Sequence, residues 1–212
     1  ITDEAVRVIE TKHNTPFFLY VAYSAPHYPL NEPEKWTSMY NGIIKEGSRR
    51  WFAASVTHMD AGIGRILNAL ERTDQRENTL VIFVSDNGGE EEEIQDEEYF
   101  GQYADKPHTV LGNNLPLRGW KFDVYEGGIR VPMFIRWPGV VPTAATCEAP
   151  TSALDLFPTL CRAANVKPPP ECDGDNLLPL LLSGDESKLR DRDLFWHYPI
   201  YGNYRNKRFQ KR

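Results

Sequence analysis

The sequence lacks the features that mark several large classes of protein. No apolar run approaches about 18 residues, so no membrane-spanning helix is predicted. The three cysteines form neither a disulfide framework nor a Cys-x-x-Cys pair, which leaves the redox compartment open. The 24 Lys and Arg residues against 30 Asp and Glu residues give a net charge of −6, which argues against nucleic acid as the main partner. No Gly-rich phosphate loop, Ser-His-Asp order or His-x-x-x-His spacing is present.

The stretch Thr79-Leu-Val-Ile-Phe-Val-Ser-Asp-Asn-Gly-Gly89 carries the clearest chemical signal in the chain. Its apolar run predicts a strand that is buried on both faces and that ends in turn residues. Ligands of open α/β sheets bind beyond the carboxyl ends of such strands. Asp86 and Asn87 supply a carboxylate and an amide oxygen there, and Ca²⁺ or Mg²⁺ prefers such donors. We therefore predict that Asp86 and Asn87 form part of a divalent-metal site.

An ordinary turn is the alternative interpretation of the same residues, because Asn-Gly is a strong hairpin signal. A hairpin requires a second strand directly after the turn, whereas an acidic run follows here at residues 90–93 and again at 96–98. Such a run is typical of a solvated loop. Two ligands do not complete a metal site, so the other ligands must come from elsewhere in the protein.

A second apolar run, Phe17–Tyr23, predicts another buried strand, and it ends in the loop that carries His27. Strand, helix and strand in succession form the βαβ unit of a parallel sheet, which would bring His27 and Asp86 to the same sheet edge. Ser48 is a plausible cap near the start of the connecting helix. That long helix is predicted from apolar residues at spacings of three and four, namely Phe52, Val56, Met59, Ile63, Ile66 or Leu67, and Leu70.

The remaining patterns complete an α/β fold with a mostly parallel central sheet flanked by helices. Residues 1–12 predict the end of an amphipathic helix, and Met133–Trp137 predicts a strand. Residues 151–164 predict a helix that Pro158 breaks or kinks. A further strand of a second subdomain would begin near residues 194–198, so we assign residues 1–185 to the main domain and residues 186–212 to the start of that subdomain.

Several scattered side chains could act on an anionic substrate. His27 could donate to an anionic oxygen or protonate a leaving group, although a surface histidine in a proline-rich loop is the plainer alternative. Lys121 suits an anionic group as a point charge, against the ordinary alternative of a solvated lysine. His197 is expected either to pack in the interior or to recognise substrate. Arg118 is ambiguous, and Arg130 could equally anchor the neighbouring glycine turn through an ion pair or bind substrate.

Taken in order along the chain, these pieces resemble the motifs of the type I sulfatases, the formylglycine-dependent arylsulfatase family of the alkaline-phosphatase-like superfamily. The resemblance covers nearly the whole chain, and it implies that residues 186–212 are the incomplete start of the family's small C-terminal α+β subdomain. The motifs that carry it are Ser-Ala-Pro-His27, Val-Ser-Asp86-Asn87-Gly, Leu117-Arg-Gly-x-Lys121, Glu126-Gly-Gly-Ile-Arg-Val-Pro132, Ser152-Ala-Leu-Asp-Leu-Phe-Pro-Thr159 and Asp193-Leu-Phe-Trp-His-Tyr-Pro199.

The resemblance implies a role for each matching residue. Asp86 and Asn87 would bind a divalent cation, usually calcium, with Mg²⁺ as another possibility. His27 and Lys121 would contact the sulfate ester and its bridging oxygen. This agrees with the chemistry, because a cation and a lysine stabilise charge on the non-bridging oxygens while a histidine or lysine protonates the departing alkoxide.

One departure from the family pattern is large. The family nucleophile is a hydrated formylglycine made from Cys in a Cys-x-Pro/Ala-x-Arg motif, and none of Cys147, Cys161 and Cys172 lies in that context. The family's early Asp pair and its upstream Lys and His are also missing. All of these lie N-terminal to the Ala-Pro-His loop in the family. The resemblance therefore implies that this chain is roughly the C-terminal half of a sulfatase, inactive alone and with core surface exposed.

The resemblance further implies a sulfated small molecule or glycan as substrate and an exported, periplasmic or lysosomal location. Two other functions stay open. One is a phosphodiesterase or phosphonate hydrolase of the same superfamily, because phosphate esters suit the same donors. The other is a non-catalytic protein that binds sulfated glycans.

Overall fold

A computed structural model describes residues 1–27, 29–45, 47–90 and 112–198. The acidic run from residue 91 onward and residues 199–212 of the predicted subdomain lie outside these ranges. None of the helices within them is long and apolar enough to cross a bilayer. The helices are α1 (Thr2–Glu10), α2 (Glu34–Thr37), α3 (Gly47–Arg72), α4 (Glu126–Ile129), α5 (Leu156–Ala163) and α6 (Leu178–Ser183), and the strands are β1 (Val81–Val84) and β2 (Met133–Arg136).

Helix α1 packs against the C-terminal half of α3, as its amphipathic pattern predicts. Ile9 of α1 is 1% exposed and lies in one cluster with Ala69 and Leu70 of α3. Two ion pairs at the surface join the same helices, Arg65 to Asp3 and Arg72 to Glu10. Burial of the apolar side chains supplies most of the stabilisation, because exposed ion pairs contribute about 0–1 kcal/mol each.

The most buried face of α3 is made of small residues that recur every seven positions. Ser48, Ser55, Gly62 and Ala69 form this face, and Ala54 and Leu70 lie beside it. Small side chains let neighbouring elements approach the helix closely. Of the bulky residues that predicted the helix, only Leu70 is buried in the described chain. The predicted cap, Ser48, lies inside the helix rather than ahead of it.

The segment Phe17–Tyr23 is not a strand, so this prediction is wrong for the described chain. Its side chains nevertheless alternate between half-buried and exposed, with the period of two that a strand would show. Phe17 and Leu19 pack on the α1–α3 cluster, whereas Phe18 and Tyr20 are 75% and 81% exposed. A strand needs a hydrogen-bonded neighbour, and the described residues offer this segment none.

Strands β1 and β2 pair antiparallel, with Val81 opposite Arg136 and Val84 opposite Met133. The mostly parallel sheet is therefore not confirmed by the described strands. The prediction that β1 is buried on both faces is also wrong here, because Val84 is 37% exposed and the other residues are half-buried. The antiparallel partner of β1 comes from far along the chain, and the Asn-Gly sequence after β1 forms no hairpin within the described residues.

The C-terminal part differs from its prediction in two places. A 3₁₀ turn, Ala153–Asp155, precedes α5, so Pro158 lies in the first turn of the helix, where a missing N–H breaks no helical bond. Residues 194–198 form no strand. The division at residue 186 stays a prediction.

Candidate functional site

The acid–amide loop, residues 85–89, turns away from the end of β1 directly after Val84. The Ser85 N–H donates to the Pro132 carbonyl at 3.2 Å and thereby extends the β1–β2 pairing by one bond. Asp86 is exposed and Asn87 is half-buried. The Asn87 Nδ2 donates to the Gly88 carbonyl at 3.0 Å, which leaves Oδ1 as the atom of this amide that could bind a cation. Asp86 and Asn87 thus offer a carboxylate and an amide oxygen directly after the strand end.

The lysine loop, residues 117–123, is bound directly to the acid–amide loop. The Lys121 N–H donates to the Gly89 carbonyl at 2.9 Å. The neighbouring Gly88 N–H donates to the carbonyl of Gly128 in α4, also at 2.9 Å. The structure therefore joins, through backbone bonds, the loop that carries Asp86 and Asn87 to the loop that carries Lys121, which the sequence analysis had selected separately.

Helix α4 contacts both loops, and we call the place where the acid–amide loop, the lysine loop and α4 meet the junction. Glycines make the close approach of these three backbones possible. The Gly127 N–H donates to the Arg118 carbonyl at 2.7 Å. A Cβ atom at Gly88 would overlap the Gly127 carbonyl, and one at Gly127 would overlap the Gly119 carbonyl. Three backbones thus meet at distances that admit no side chain, which explains the glycines in both motifs.

Asn114 is a residue of the site that the sequence analysis missed. Its Oδ1 accepts from the Gly89 N–H at 3.0 Å, and its Nδ2 lies 3.1 Å from both the Gly89 and the Gly119 carbonyls. One side chain therefore bonds the acid–amide loop and the lysine loop together. The only signal in the sequence is an asparagine ahead of the Leu-Pro-Leu-Arg-Gly segment, which names no contact by itself.

The cations near the junction have different surroundings. Lys121 is half-buried, with its Nζ 5.3 Å from the ring centroid of Phe122. The Arg118 guanidinium lies 3.9 Å from the ring centroid of Tyr125 in a cation–π contact. Arg130 pairs with Glu126 at 3.6 Å across α4, so the structure favours the ion-pair interpretation of this arginine.

The two candidate histidines are both exposed. His27 follows the Phe17–Tyr23 segment. The backbone N–H of His27 donates to the Ser24 carbonyl in a tight turn at 2.9 Å. Its proximity to Asp86 stays a prediction. His197 does not pack in the interior, so that expectation is wrong. The adjacent Tyr198 lies 6.1 Å from Phe122 between ring centroids, which brings this segment beside the lysine loop.

The donors at the junction fit part of a site for a hard cation. Two oxygens fall short of the six to eight that Ca²⁺ commonly takes. No group of three or more His, Cys, Asp and Glu side chains suited to a metal occurs among the described residues. Asp86 and Asn87 would therefore need ligands from another part of the protein.

Cys147, Cys161 and Cys172 differ in exposure, and the surroundings of Cys147 disfavour its thiolate. Cys147 is exposed, whereas Cys161 and Cys172 are half-buried. Partial burial raises the pKa of the Cys147 thiol, and the carboxylates of Glu186 and Glu148 add to the effect. A thiol of this kind is a poor nucleophile at neutral pH because little of it is ionised.

Comparison with known proteins gives a consistent result. The profile of the sulfatase family matches residues 1–166. A sulfatase from Formosa agariphila is 34% identical over 92% of this chain, and human steryl-sulfatase is 32% identical over 93%. The alignments cover 35% and 31% of those two proteins, so the chain spans about a third of the length of the curated relatives it matches. The prediction that this chain is roughly the C-terminal half of a sulfatase is therefore not shown.

The solved structures agree with the sequence relatives. The crystal structure of Ps i-CgsB is 36% identical and superposes on 87% of this chain with a TM-score of 0.72, covering 38% of that protein. Its complex with k-i-k-neocarrahexaose gives a TM-score of 0.70 at 37% identity. Both the profile and these neighbours point to the alkaline-phosphatase-like α/β fold. The chain belongs to the sulfatase family.

Proposed function

We propose that the complete protein hydrolyses a sulfate ester and that this chain supplies part of its active site. The observation that carries the proposal is the hydrogen bond between the Lys121 N–H and the Gly89 carbonyl. It joins a loop whose two oxygen donors can hold a divalent cation to a loop with a cationic side chain. A bound cation and a lysine together provide the positive charge that a small anion needs. Membership of the sulfatase family selects the sulfate ester among such anions.

The residues would divide the work as follows. Asp86 and Asn87 hold a divalent cation, Ca²⁺ by preference and Mg²⁺ as the alternative. Such a cation, when bound, stabilises negative charge on the sulfate oxygens. Lys121 contacts the same oxygens or the bridging oxygen, and His27 protonates the departing alkoxide. His197 reaches the substrate from the neighbouring segment.

The nucleophile belongs to the remainder of the protein in this proposal. A formylglycine is expected there, together with the other metal ligands and the strands that complete a mostly parallel sheet. Residues 1–185 then form the later part of the catalytic domain, and residues 186–212 begin the small subdomain. An exported, periplasmic or lysosomal location follows from the family resemblance.

The substrate class is a sulfated small molecule or glycan. The names of the relatives span both kinds, since steryl-sulfatase names a sterol and the Ps i-CgsB complex contains a neocarrahexaose. The described residues do not distinguish between them.

The test is sulfate release from an aryl sulfate by the complete gene product, with and without Ca²⁺. Lys121→Ala is expected to lower kcat about 100- to 1,000-fold, as the loss of one donor to a developing anion does elsewhere. Lys188→Ala is the matched control, because this lysine is exposed and its ion pair in the described chain is with the nearby Asp185 at 3.8 Å. Equal activity of the two variants would contradict the assigned role of Lys121.

The same assay separates the other functions. Faster turnover of a phosphate diester or phosphonate than of the sulfate would identify a phosphodiesterase or phosphonate hydrolase. Binding of a sulfated glycan without turnover of any ester would identify a non-catalytic protein.

A further inference from the structure

The side chain of Asn114 makes three hydrogen bonds to backbone groups at the candidate site. The side-chain amide pairs with both backbone groups of Gly89, accepting from its N–H at 3.0 Å and donating to its carbonyl at 3.1 Å. The same nitrogen lies 3.1 Å from the Gly119 carbonyl. Asn114 is half-buried, so these bonds are partly shielded from competition by water.

The partners of Asn114 are the ends of the two functional loops. Gly89 closes the acid–amide loop three residues after Asp86, and Gly119 precedes Lys121 by two residues. The carbonyl of Gly89 also accepts from the Lys121 N–H. A change in the Asn114 bonds would therefore shift the cation ligands and the lysine relative to each other.

We propose that Asn114 is a positioning residue that sets the separation between the acid–amide loop and the lysine loop. The inference rests on the proposed function, because it assigns Asn114 to the reaction through Asp86 and Lys121. Displacing reacting groups by about 1 Å can cost 100-fold in rate, so one side chain that joins both loops affects the chemistry without touching substrate.

The chemistry of the amide explains why this position needs asparagine. The contacts require one acceptor and two donors within a short reach, and an asparagine amide offers both. Aspartate keeps an acceptor for the Gly89 N–H but puts a carboxylate against two carbonyl oxygens. Alanine removes all three bonds.

The neighbouring Asn113 provides a matched control. It is exposed, and its side chain accepts from the Leu115 N–H at 2.8 Å within its own turn. Asn113→Ala therefore removes an asparagine from the same segment without touching either functional loop.

The experiment compares Asn114→Ala, Asn114→Asp and Asn113→Ala in the complete gene product. For Asn114→Ala we expect kcat to fall about 10- to 100-fold with KM nearly unchanged, and the Ca²⁺ affinity measured by calorimetry to weaken by a similar factor. Thermal unfolding of each variant, with and without Ca²⁺, checks that the folded fraction is comparable. Asn114→Asp keeps the bond from the Gly89 N–H but sets a carboxylate against two carbonyl oxygens, so it is expected to lower both readouts at least as far as Asn114→Ala.

The outcomes are distinct. If the Asn114 variants match Asn113→Ala in kcat and Ca²⁺ affinity, or lose activity only in proportion to their unfolded fraction, the positioning role is wrong. If the wild type turns over no sulfate ester but its Ca²⁺ affinity depends on Asn114, the positioning role stands and the proposed function falls. A wild type that neither turns over nor binds Ca²⁺ overturns both.

Discussion

Asp155 has 0% exposure and nevertheless carries a charge, because several donors surround its carboxylate. Oδ2 accepts from the Ser152 N–H at 2.7 Å and from the Arg192 guanidinium at 2.5 Å, and Oδ1 accepts from the Asp175 N–H at 2.7 Å. Burial alone would raise the pKa of Asp155, but the hydrogen bonds from Arg192 and the two N–H groups outweigh it and hold the pKa below its ordinary value. One carboxylate thus joins the start of α5 to the segments on both sides of α6.

Asp155→Ala is expected to lower the free energy of unfolding by about 2–4 kcal/mol at pH 7, because it leaves buried N–H donors without an acceptor. It also takes one of two carboxylates from the largely buried Arg192 guanidinium, which keeps its pairing with Asp175 at 3.3 Å. The folded-state pKa is depressed, so this contribution is present above the unfolded value of about 3.9 and is lost as the pH falls through the folded value. The difference from wild type should therefore shrink in acid. Urea unfolding between neutral and acidic pH measures both effects.

Arg190→Ala is the control for this prediction. Arg190 is 67% exposed and pairs with Asp175 at 3.2 Å, so its loss should cost less than about 1 kcal/mol. A similar cost for both variants would contradict the role assigned to the buried carboxylate.

At the scale of the element, α3 contains two glycines with opposite surroundings. Gly62 is buried, and a Cβ atom there would lie 2.7 Å from the Thr2 hydroxyl and 2.9 Å from the Tyr23 hydroxyl. Those two hydroxyls bond each other at 2.7 Å across the helix. Gly64 has no heavy atom within 4 Å of the same position. One glycine therefore serves packing, whereas the other only adds backbone freedom.

Gly64→Ala is expected to raise the free energy of unfolding by about 0.5–1 kcal/mol, since alanine favours the helix and meets no neighbour. Gly62→Ala should give a smaller gain or a loss, because the new methyl group displaces the Thr2–Tyr23 hydrogen bond. Chemical denaturation of the two variants gives the comparison. A larger gain at Gly62 than at Gly64 would show that the approach of α1 to α3 is looser than described.

At the scale of the whole molecule, the described chain leaves large apolar side chains in contact with water. Phe18 and Tyr20 are 75% and 81% exposed on one face of their segment, and Phe134 of β2 is 66% exposed. Apolar surface of this kind, beside the two-stranded sheet that the described residues form, favours self-association and dye binding.

The 212-residue chain is therefore expected to enhance the fluorescence of the dye ANS while folded. Replacing both Phe18 and Tyr20 by Thr should reduce that fluorescence, because it removes exposed aromatic area without touching Phe17 or Leu19. The exchange Phe18→Tyr with Tyr20→Phe keeps the aromatic area and should leave the signal unchanged. Equal fluorescence of the Thr variant and wild type would place the dye site elsewhere.

The sequence alone determined the features that depend on neighbours along the chain. Helices α1 and α3 follow from the 3.6-residue period of their apolar residues, and β1 and β2 from short apolar runs that end in turn residues. The Asp86-Asn87 and Arg-Gly-x-Lys121 motifs are equally local in their chemistry, whereas the need for Gly88 and Gly127 arises where backbones from distant parts of the chain meet.

Tertiary structure decided everything that depends on a partner far along the chain. The antiparallel register of β1 and β2 needs both strands in place. The period-two pattern of Phe17–Tyr23 cannot show that the described part of the chain offers it no neighbouring strand. Asn114 joins two loops through bonds to backbone groups, and no pattern of side chains in the sequence predicts such bonds. The buried Asp155–Arg192 pair likewise exists only because folding removes both groups from water together, and neither residue differs in sequence from an ordinary surface charge.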